Sequence, residues 1–427
     1  MEKLLVYVDF DWLNEPQQIG ILSYERLRGS DTYGFTYNKE WLKNHGGIQL
    51  SDDINNYPGS QYTPQGHDIF GCFADALPDR WGRLLLNRRE QIQAEEEKRS
   101  IKKLSSFDYL VGIDDFSRMG AFRFKINQDD DFINQSSALQ IPPLTNLRKL
   151  LHASMEIEIR EEKNELPDKK WVLQLIQPGT SLGGARPKAS IIGEDNKLFI
   201  AKFPSRNDTY DVGLWEHFCH LLAKESGIHT AVTHVVSSGE KYHVLLSLRF
   251  DRNDIGRRVH FASAMSMLGL KDGDNFSSGN GYLDIVDFIV QGCTDVENNL
   301  EELYRRVAFN ICVGNTDDHF RNHGFLLTAK GWILSPAYDM NPTLSEYQSL
   351  LISSKSNSSD LNILLDACEE YMIDKSTADN IICEVVKAVG DWKIVANRLQ
   401  ISQSEMNLFG ARLNKYAAWK GVTKGCK

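Results

Sequence analysis

Apolar residues recur at a strand period near the start of the chain and at a helical period towards its end, and that change of rhythm limits what the chain can fold into. Leu4-Val6-Val8, Ile19-Ile21 and Tyr33-Phe35-Tyr37 alternate with other residues. Gly, Asn, Asp and Pro separate these runs, which reads as a small antiparallel sheet. Over residues 73–97 the pattern turns helical, with Trp81, Leu84 and Leu85 on one face. Another β-rich stretch covers 121–125. Residues 127–143 are polar and acidic and end in Pro142-Pro143, as a linker does. Residues 189–192 and 198–203 read as paired strands across a turn at 193–196. Residues 214–226 read as an amphipathic helix stopped by Gly227, and 243–250 as a largely buried strand. Beyond Asp251 helices take over, at 285–290, 300–313 and 362–389. The expected organisation is a small module over 1–125, a linker over 126–143, a β-rich lobe over 144–250 and a helical lobe over 251–427. The fold class is α+β.

At 427 residues the chain is long enough for two or three cores. No apolar run is long enough to span a bilayer. The opening run at 4–7 is broken by Asp9 and Asp11, so it does not read as a secretory signal, and a cytoplasmic location is expected. Seven cysteines are scattered without a CxxC pair, which predicts thiols rather than a disulfide framework or a zinc site. The formal charge of −10 argues against a surface built for phosphate backbones. Basic residues between Arg88 and Lys103 are interrupted by the acidic run 95–97 and read as a solvated helix face. Any DNA contact is therefore expected through a partner.

The most informative stretch is Asn315-Thr316-Asp317-Asp318-His319-Phe320-Arg321-Asn322, between an apolar helix and a strand-like segment. A carboxylate followed five residues later by an amide is what phosphoryl transfer needs: Asp317 orients the attacking hydroxyl and Asn322 helps hold magnesium. Protein kinases use the same spacing in their catalytic loop. Past the next hairpin, Tyr338-Asp339-Met340-Asn341-Pro342 brings Asp339 back towards Asn322, and two hard oxygen donors suit Mg²⁺. Asp and Asn are also ordinary turn residues, and a purely structural role stays open for each. Upstream, Gly179 to Lys188 form a loose Gly-rich segment in which Gly183, Gly184 and Ala185 would let backbone N–H groups approach phosphates, with Ser181 at its entrance. Lys202, flanked by apolar strand residues, would meet a nucleotide phosphate or an acid, Glu216 being the natural candidate; a lysine extending from an edge strand is the alternative. His319 would hydrogen-bond beneath the Asp317 loop, with a metal-ligand role as the alternative. No GxSxG, HExxH or GxxxxGK[ST] motif is present.

Together these motifs resemble the HipA family, the kinase toxins of HipBA modules. Tyr24–Arg28, Trp41-Leu42 and Ala76-Leu77-Pro78-Asp79-Arg80-Trp81-Gly82-Arg83 resemble its N-terminal subdomain. Ser181–Ala185 with Lys188 resembles its Gly-rich loop, and Asn315–Asn322 with Tyr338-Asp339 its catalytic and metal motifs. The resemblance implies a two-lobed protein-kinase-like fold and a serine/threonine kinase using ATP and Mg²⁺. It makes Asp317 the catalytic aspartate, Asn322 and Asp339 the metal ligands, and Lys202 a phosphate contact, with Lys188 in support. Ser181 becomes the autophosphorylated serine, and Leu248, Phe250 and Asp251 the hinge that receives adenine. The hinge departs from the family at Leu248, where glutamate is common. The implied partners are a HipB-like helix-turn-helix antitoxin, operator DNA through that antitoxin, and a protein substrate, with glutamyl-tRNA synthetase one candidate. Two alternatives share these features: a kinase-shaped corepressor with little catalysis, and a small-molecule phosphotransferase.

Overall fold

The computed structural model describes residues 1–27, 30–135, 141–176, 184, 186–417 and 419. They form an α+β protein of two units. The first comprises Met1–Asp208, Ser238–Ala262 and Leu326–Ala329, and the second Thr209–Ser237, Ser263–Phe325 and Lys330–Lys427. No described helix is long and apolar enough to cross a membrane.

The first unit opens on a five-stranded antiparallel sheet: β1 (Glu2–Val8), β2 (Gln17–Leu27), β3 (Ser30–Tyr37), β4 (Ser60–Tyr62) and β5 (Phe122–Lys125). Its order is β4-β3-β2-β1-β5. Leu4, Val6 and Val8 are buried, as strict alternation requires. Ile19 is buried and Ile21 exposed, because β1 pairs Val6 with Gly20 but Tyr7 with Gln18. Ile19 is the extra residue of a β-bulge, and beyond it the core face passes to Leu22 and Tyr24. Phe35, Phe70, Phe73, Phe122 and Phe124 stack edge to face or tilted under the sheet.

The helix Arg80–Glu96 buries Trp81, Leu85 and Leu86, so the core face is shifted by one residue from the expected Leu84. Three basic residues on this helix and just past it are matched within the same unit. Arg88 pairs with Glu161 at 2.5 Å, Arg99 with Glu90 at 2.5 Å, and Lys102 with Asp108 at 2.6 Å. A surface so matched offers little net field to a nucleic acid.

Charge also lies deep inside this unit. Asp251 is 0% exposed. Its carboxylate accepts from Arg249 at 2.6 Å, Arg252 at 2.7 Å and the Gly120 N–H at 2.8 Å. Beside it, buried Arg258 reaches Asp115 at 3.2 Å, and Arg123 reaches Asp115 at 2.7 Å and Asp9 at 3.2 Å. The guanidiniums use their remaining donors on carbonyls: Arg249 on Ser117 and Arg118, Arg118 on Ala76, Leu110 and Ile113. The network joins Ser238–Ala262 to the opening module, and buried charge persists only where it is so paired.

The second unit is built on the helices Val212–Glu225, Tyr282–Gly292, Val296–Val313, Lys375–Gly390, Trp392–Arg398 and Gln403–Leu413. The single helix expected over 362–389 is two. Leu361–Asp366 ends, Met372 takes a left-handed φ of 60°, and Asp374 caps a new start by accepting from Ser376 and Thr377 N–H. Cys383 is disulfide-bonded, which departs from the expectation of thiols throughout. Cys72, Cys219, Cys293, Cys312 and Cys368 are free.

Candidate active site

The helix Val296–Val313 delivers the chain to the site. It ends at Gly314, whose φ of 76° is left-handed and whose N–H returns to the Asn310 carbonyl at 2.9 Å. A Cβ there would stand 2.8 Å from Arg412 Cγ and Nε, so both conformation and space demand glycine. Gly314→Ala is expected to destabilise the second unit by about 2 kcal/mol, read from the urea midpoint. An unchanged midpoint would show that the turn tolerates a side chain.

After Gly314 the loop is fixed residue by residue. Asn315 Nδ2 donates to Asn310 Oδ1 at 3.0 Å, and Asn315 Oδ1 accepts the Asn341 N–H at 3.3 Å. Thr316 Oγ1 meets Thr343 Oγ1 at 2.6 Å. Asp318 is buried, and one of its oxygens accepts three donors: Tyr282 Oη at 2.7 Å, Asn310 Nδ2 at 2.8 Å and His323 Nε2 at 2.7 Å. Asp317, in contrast, is exposed. Asn322 is buried; its N–H donates to the His319 carbonyl at 2.8 Å and its Nδ2 to the Asp317 carbonyl at 3.3 Å. The amide nitrogen is thereby engaged, which leaves the amide oxygen as the group available to a cation.

Asp339 follows the strands Gly324–Thr328 and Gly331–Leu334, and the Ser335 N–H returns to Gly324 at 2.8 Å. Ala337 exchanges backbone hydrogen bonds with His229 and Ala231 at 2.8 and 2.9 Å, and Tyr338 Oη donates to the Arg321 carbonyl at 2.5 Å. Between these ties Asp339 holds φ at 56°, a left-handed conformation uncommon outside glycine and concentrated at functional sites.

The Asp317 carboxyl is raised above its ordinary value by partial desolvation, then by the Asp339 and Asp318 carboxylates, while His319 opposes the rise. The Asp339 carboxylate is thus felt electrostatically at Asp317. Carboxylate and amide oxygens are hard donors, and a divalent cation bound by Asp317 and Asp339 would relieve their repulsion. On that chemistry the residues fit magnesium. Among the described residues no cluster of three or more His, Cys, Asp or Glu side chains forms a metal site. His319 lies beside Asp317 electrostatically, and its Nδ1 is buried without a hydrogen bond. The histidine that bonds beneath the loop is His323, not His319. Glu216 is buried on the helix Val212–Glu225 and accepts from Asn341 Nδ2 at 3.3 Å, two residues beyond Asp339.

The residues expected on the nucleotide side belong to the first unit. Lys202 ends the strand Leu198–Lys202, half-buried, and is the register partner of Lys188 on Lys188–Ile192. Lys188 is 2% exposed and its Nζ meets the Asp79 carboxylate at 2.8 Å. Asp79 also caps the helix Arg80–Glu96 by accepting the Gly82 N–H at 2.8 Å. Gly184 has a φ of 101°, a conformation that suits a glycine, and its Cβ position would lie 3.4 Å from Lys188 Nζ. Ser181, Gly183 and Ala185 lie outside the described residues. Leu248 and Phe250 are half-buried, and the Arg249 N–H returns to the Leu198 carbonyl at 2.9 Å. Asp251 differs from its expected role. Its carboxylate serves the buried arginines and its carbonyl accepts the Val259 N–H at 3.0 Å, so it supports the hinge from within.

Sequence reasoning missed Asp318, His323, Tyr282, Asn310 and Asn341. One signal was present: Asp318 and His323 repeat the five-residue spacing of Asp317 and Asn322, one position later.

Comparison with known proteins adds the following. A model described as the HipA N-terminal domain matches residues 12–110, and one described as the HipA-like C-terminal domain matches residues 180–392. The serine/threonine-protein kinase toxin HipA of Shewanella oneidensis is 25% identical over 350 residues, covering 75% of this chain and 72% of that protein. A chain of the solved complex of HipA, HipB and operator DNA from Shewanella oneidensis MR-1 superposes with a TM-score of 0.69 at 18% identity. That match covers 97% of this chain and 96% of the other, and it fixes the fold.

Proposed function

The chain belongs to the HipA family of serine/threonine kinases, and from that premise we propose that it uses ATP and Mg²⁺ to phosphorylate a cytoplasmic protein and its own Ser181. The observation that supports this reading is the raised carboxyl of Asp317, lifted by desolvation first and then by the Asp339 and Asp318 carboxylates. Asp317 would accept the proton of the attacking serine or threonine hydroxyl, or orient it, and Asn322 and Asp339 would hold the cation. The bound metal would neutralise charge developing on the phosphoryl oxygens. Lys202 would meet the nucleotide phosphates, with Gly183, Gly184 and Ala185 offering backbone N–H groups, and Leu248 and Phe250 would receive adenine.

Glutamyl-tRNA synthetase is one protein substrate to test. A HipB-like antitoxin would neutralise the kinase and carry the operator contact, in keeping with the formal charge of −10 and the pairing of Arg88 and Arg99 with acids.

Incubation with labelled ATP and Mg²⁺ is expected to place phosphate on Ser181, located by mass spectrometry of the peptides. A phosphoserine there would repel nucleotide phosphates and the site carboxylates, so the labelled fraction should also be less active. Labelling elsewhere in the chain, with Ser181 unmodified, would overturn the self-regulation reading. Brief induction followed by phosphopeptide profiling would identify the cellular substrate.

A further inference from the structure

Asp317 and Asn322 each stand next to one end of the Asp318–His323 hydrogen bond, and we propose that Asp318 is a positioning residue that sets the distance between the reacting carboxylate and the metal-binding amide. The proposal rests on the phosphotransfer reading of the same loop.

The loop between the two functional residues is short, and two bonds cross it: Asn322 Nδ2 donates to the Asp317 carbonyl at 3.3 Å, and His323 Nε2 to Asp318 Oδ2 at 2.7 Å. The second is the shorter, it is buried, and it is tied to the surrounding helices. It joins the residue after Asp317 to the residue after Asn322, as a staple would. Two helices hold the staple in place. Tyr282, at the start of Tyr282–Gly292, donates at 2.7 Å, and Asn310, on Val296–Val313, donates at 2.8 Å. Asn310 also binds Asn315 at the loop entrance, so both ends of the turn refer to one anchor. Asp318, His323, Tyr282 and Asn310 are all buried, where a satisfied polar network is rigid and a broken one costly.

A single oxygen that accepts three donors calls for a carboxylate, since an amide oxygen carries less charge and its nitrogen would oppose the surrounding N–H and O–H groups. Asp318→Asn is therefore expected to widen the loop without removing either functional side chain.

The test uses the whole chain and two readouts. Mn²⁺ binding is followed by electron paramagnetic resonance, and phosphoryl transfer is measured across a range of ATP concentrations. Partners that orient metal ligands change metal affinity roughly 10–100-fold when lost, so Asp318→Asn should weaken Mn²⁺ about tenfold. Misplacing a reacting group by about 1 Å can cost roughly 10²-fold in rate, so kcat should fall about 100-fold while the KM for ATP stays within about threefold. Tyr282→Phe, which removes one donor and no charge, should show the same pattern at a smaller size if Asp318→Asn does not fold. Tyr371→Phe is the control: it deletes another buried hydroxyl bond of this unit, to the Ile352 carbonyl, far along the chain from the loop. It should cost stability and leave both readouts unchanged. Mn²⁺ affinity and kcat within twofold of wild type, or equal losses in Tyr371→Phe, would overturn the proposal. Wild type that transfers no phosphate while Asp318→Asn still weakens Mn²⁺ would sink the kinase reading and leave the staple standing.

Discussion

Asp317→Ala is expected to lower phosphoryl transfer, to Ser181 and to any protein substrate, by at least about 10³-fold. The chain should stay folded, because Asp317 is the exposed member of its loop and the neighbouring Asp318 holds the turn. Removing the Asp317 carboxylate also relieves repulsion with Asp339, so thermal stability at neutral pH should be unchanged or slightly higher. A second measurement follows from the same carboxyl. Its protonated form cannot act as a base, and desolvation with Asp339 holds its pKa above the ordinary value. The rate should therefore rise with pH through that raised value, and the acid limb should move to lower pH as Mg²⁺ saturates. Labelling that persists in Asp317→Ala would end the catalytic assignment, whatever the fold. Growth arrest on expression should likewise be lost in this variant.

Asp251→Ala is expected to be the most damaging change to stability, at about 3–5 kcal/mol, the usual cost of leaving a buried charge without its partner. Arg249 and Arg252 would both lose the carboxylate that now lies 2.6 and 2.7 Å away, and the Gly120 N–H would lose its acceptor. Burial pulls the Arg252 guanidinium down to about 9, which still leaves it charged at neutral pH. The sign with pH is fixed as well. Burial alone would raise the Asp251 carboxyl, but Arg249 and Arg252 depress it far below its unfolded value. Its contribution is thus complete above that unfolded value of roughly 3.9 and lost as pH falls below it. Urea unfolding at pH 7 and pH 3 measures both effects. A wild-type-like midpoint in Asp251→Ala at pH 7 would show that water or a neighbouring acid replaces it.

Much of this molecule was legible in the order of its residues. Alternation placed Leu4, Val6 and Val8 in the core of a sheet, and the Asp-to-Asn spacing singled out the loop at 317–322. The bulge at Ile19 was not legible, because it depends on how β1 pairs with β2 rather than on either strand alone. The break inside 362–389 had a local signal, Asp374 as a cap, which the apolar pattern on both sides masked. Buried charge was hidden altogether. Nothing local marks Arg249, Arg252 and Arg258 as buried, because they reach carbonyls more than a hundred positions earlier in the chain. Asp318 was hidden in the same way, since Tyr282 and Asn310 reach it only through the packing of two helices.

The meeting of Lys188 with Asp79 bears on how small a working version of this enzyme can be made. A fragment starting near residue 180 would carry every side chain assigned to the reaction, yet it would strip from Lys188 the acid that now shields it. Asp79 thus belongs to the same interior as the strand Lys188–Ile192, and trimming the residues up to it should yield an insoluble product and not a minimal kinase.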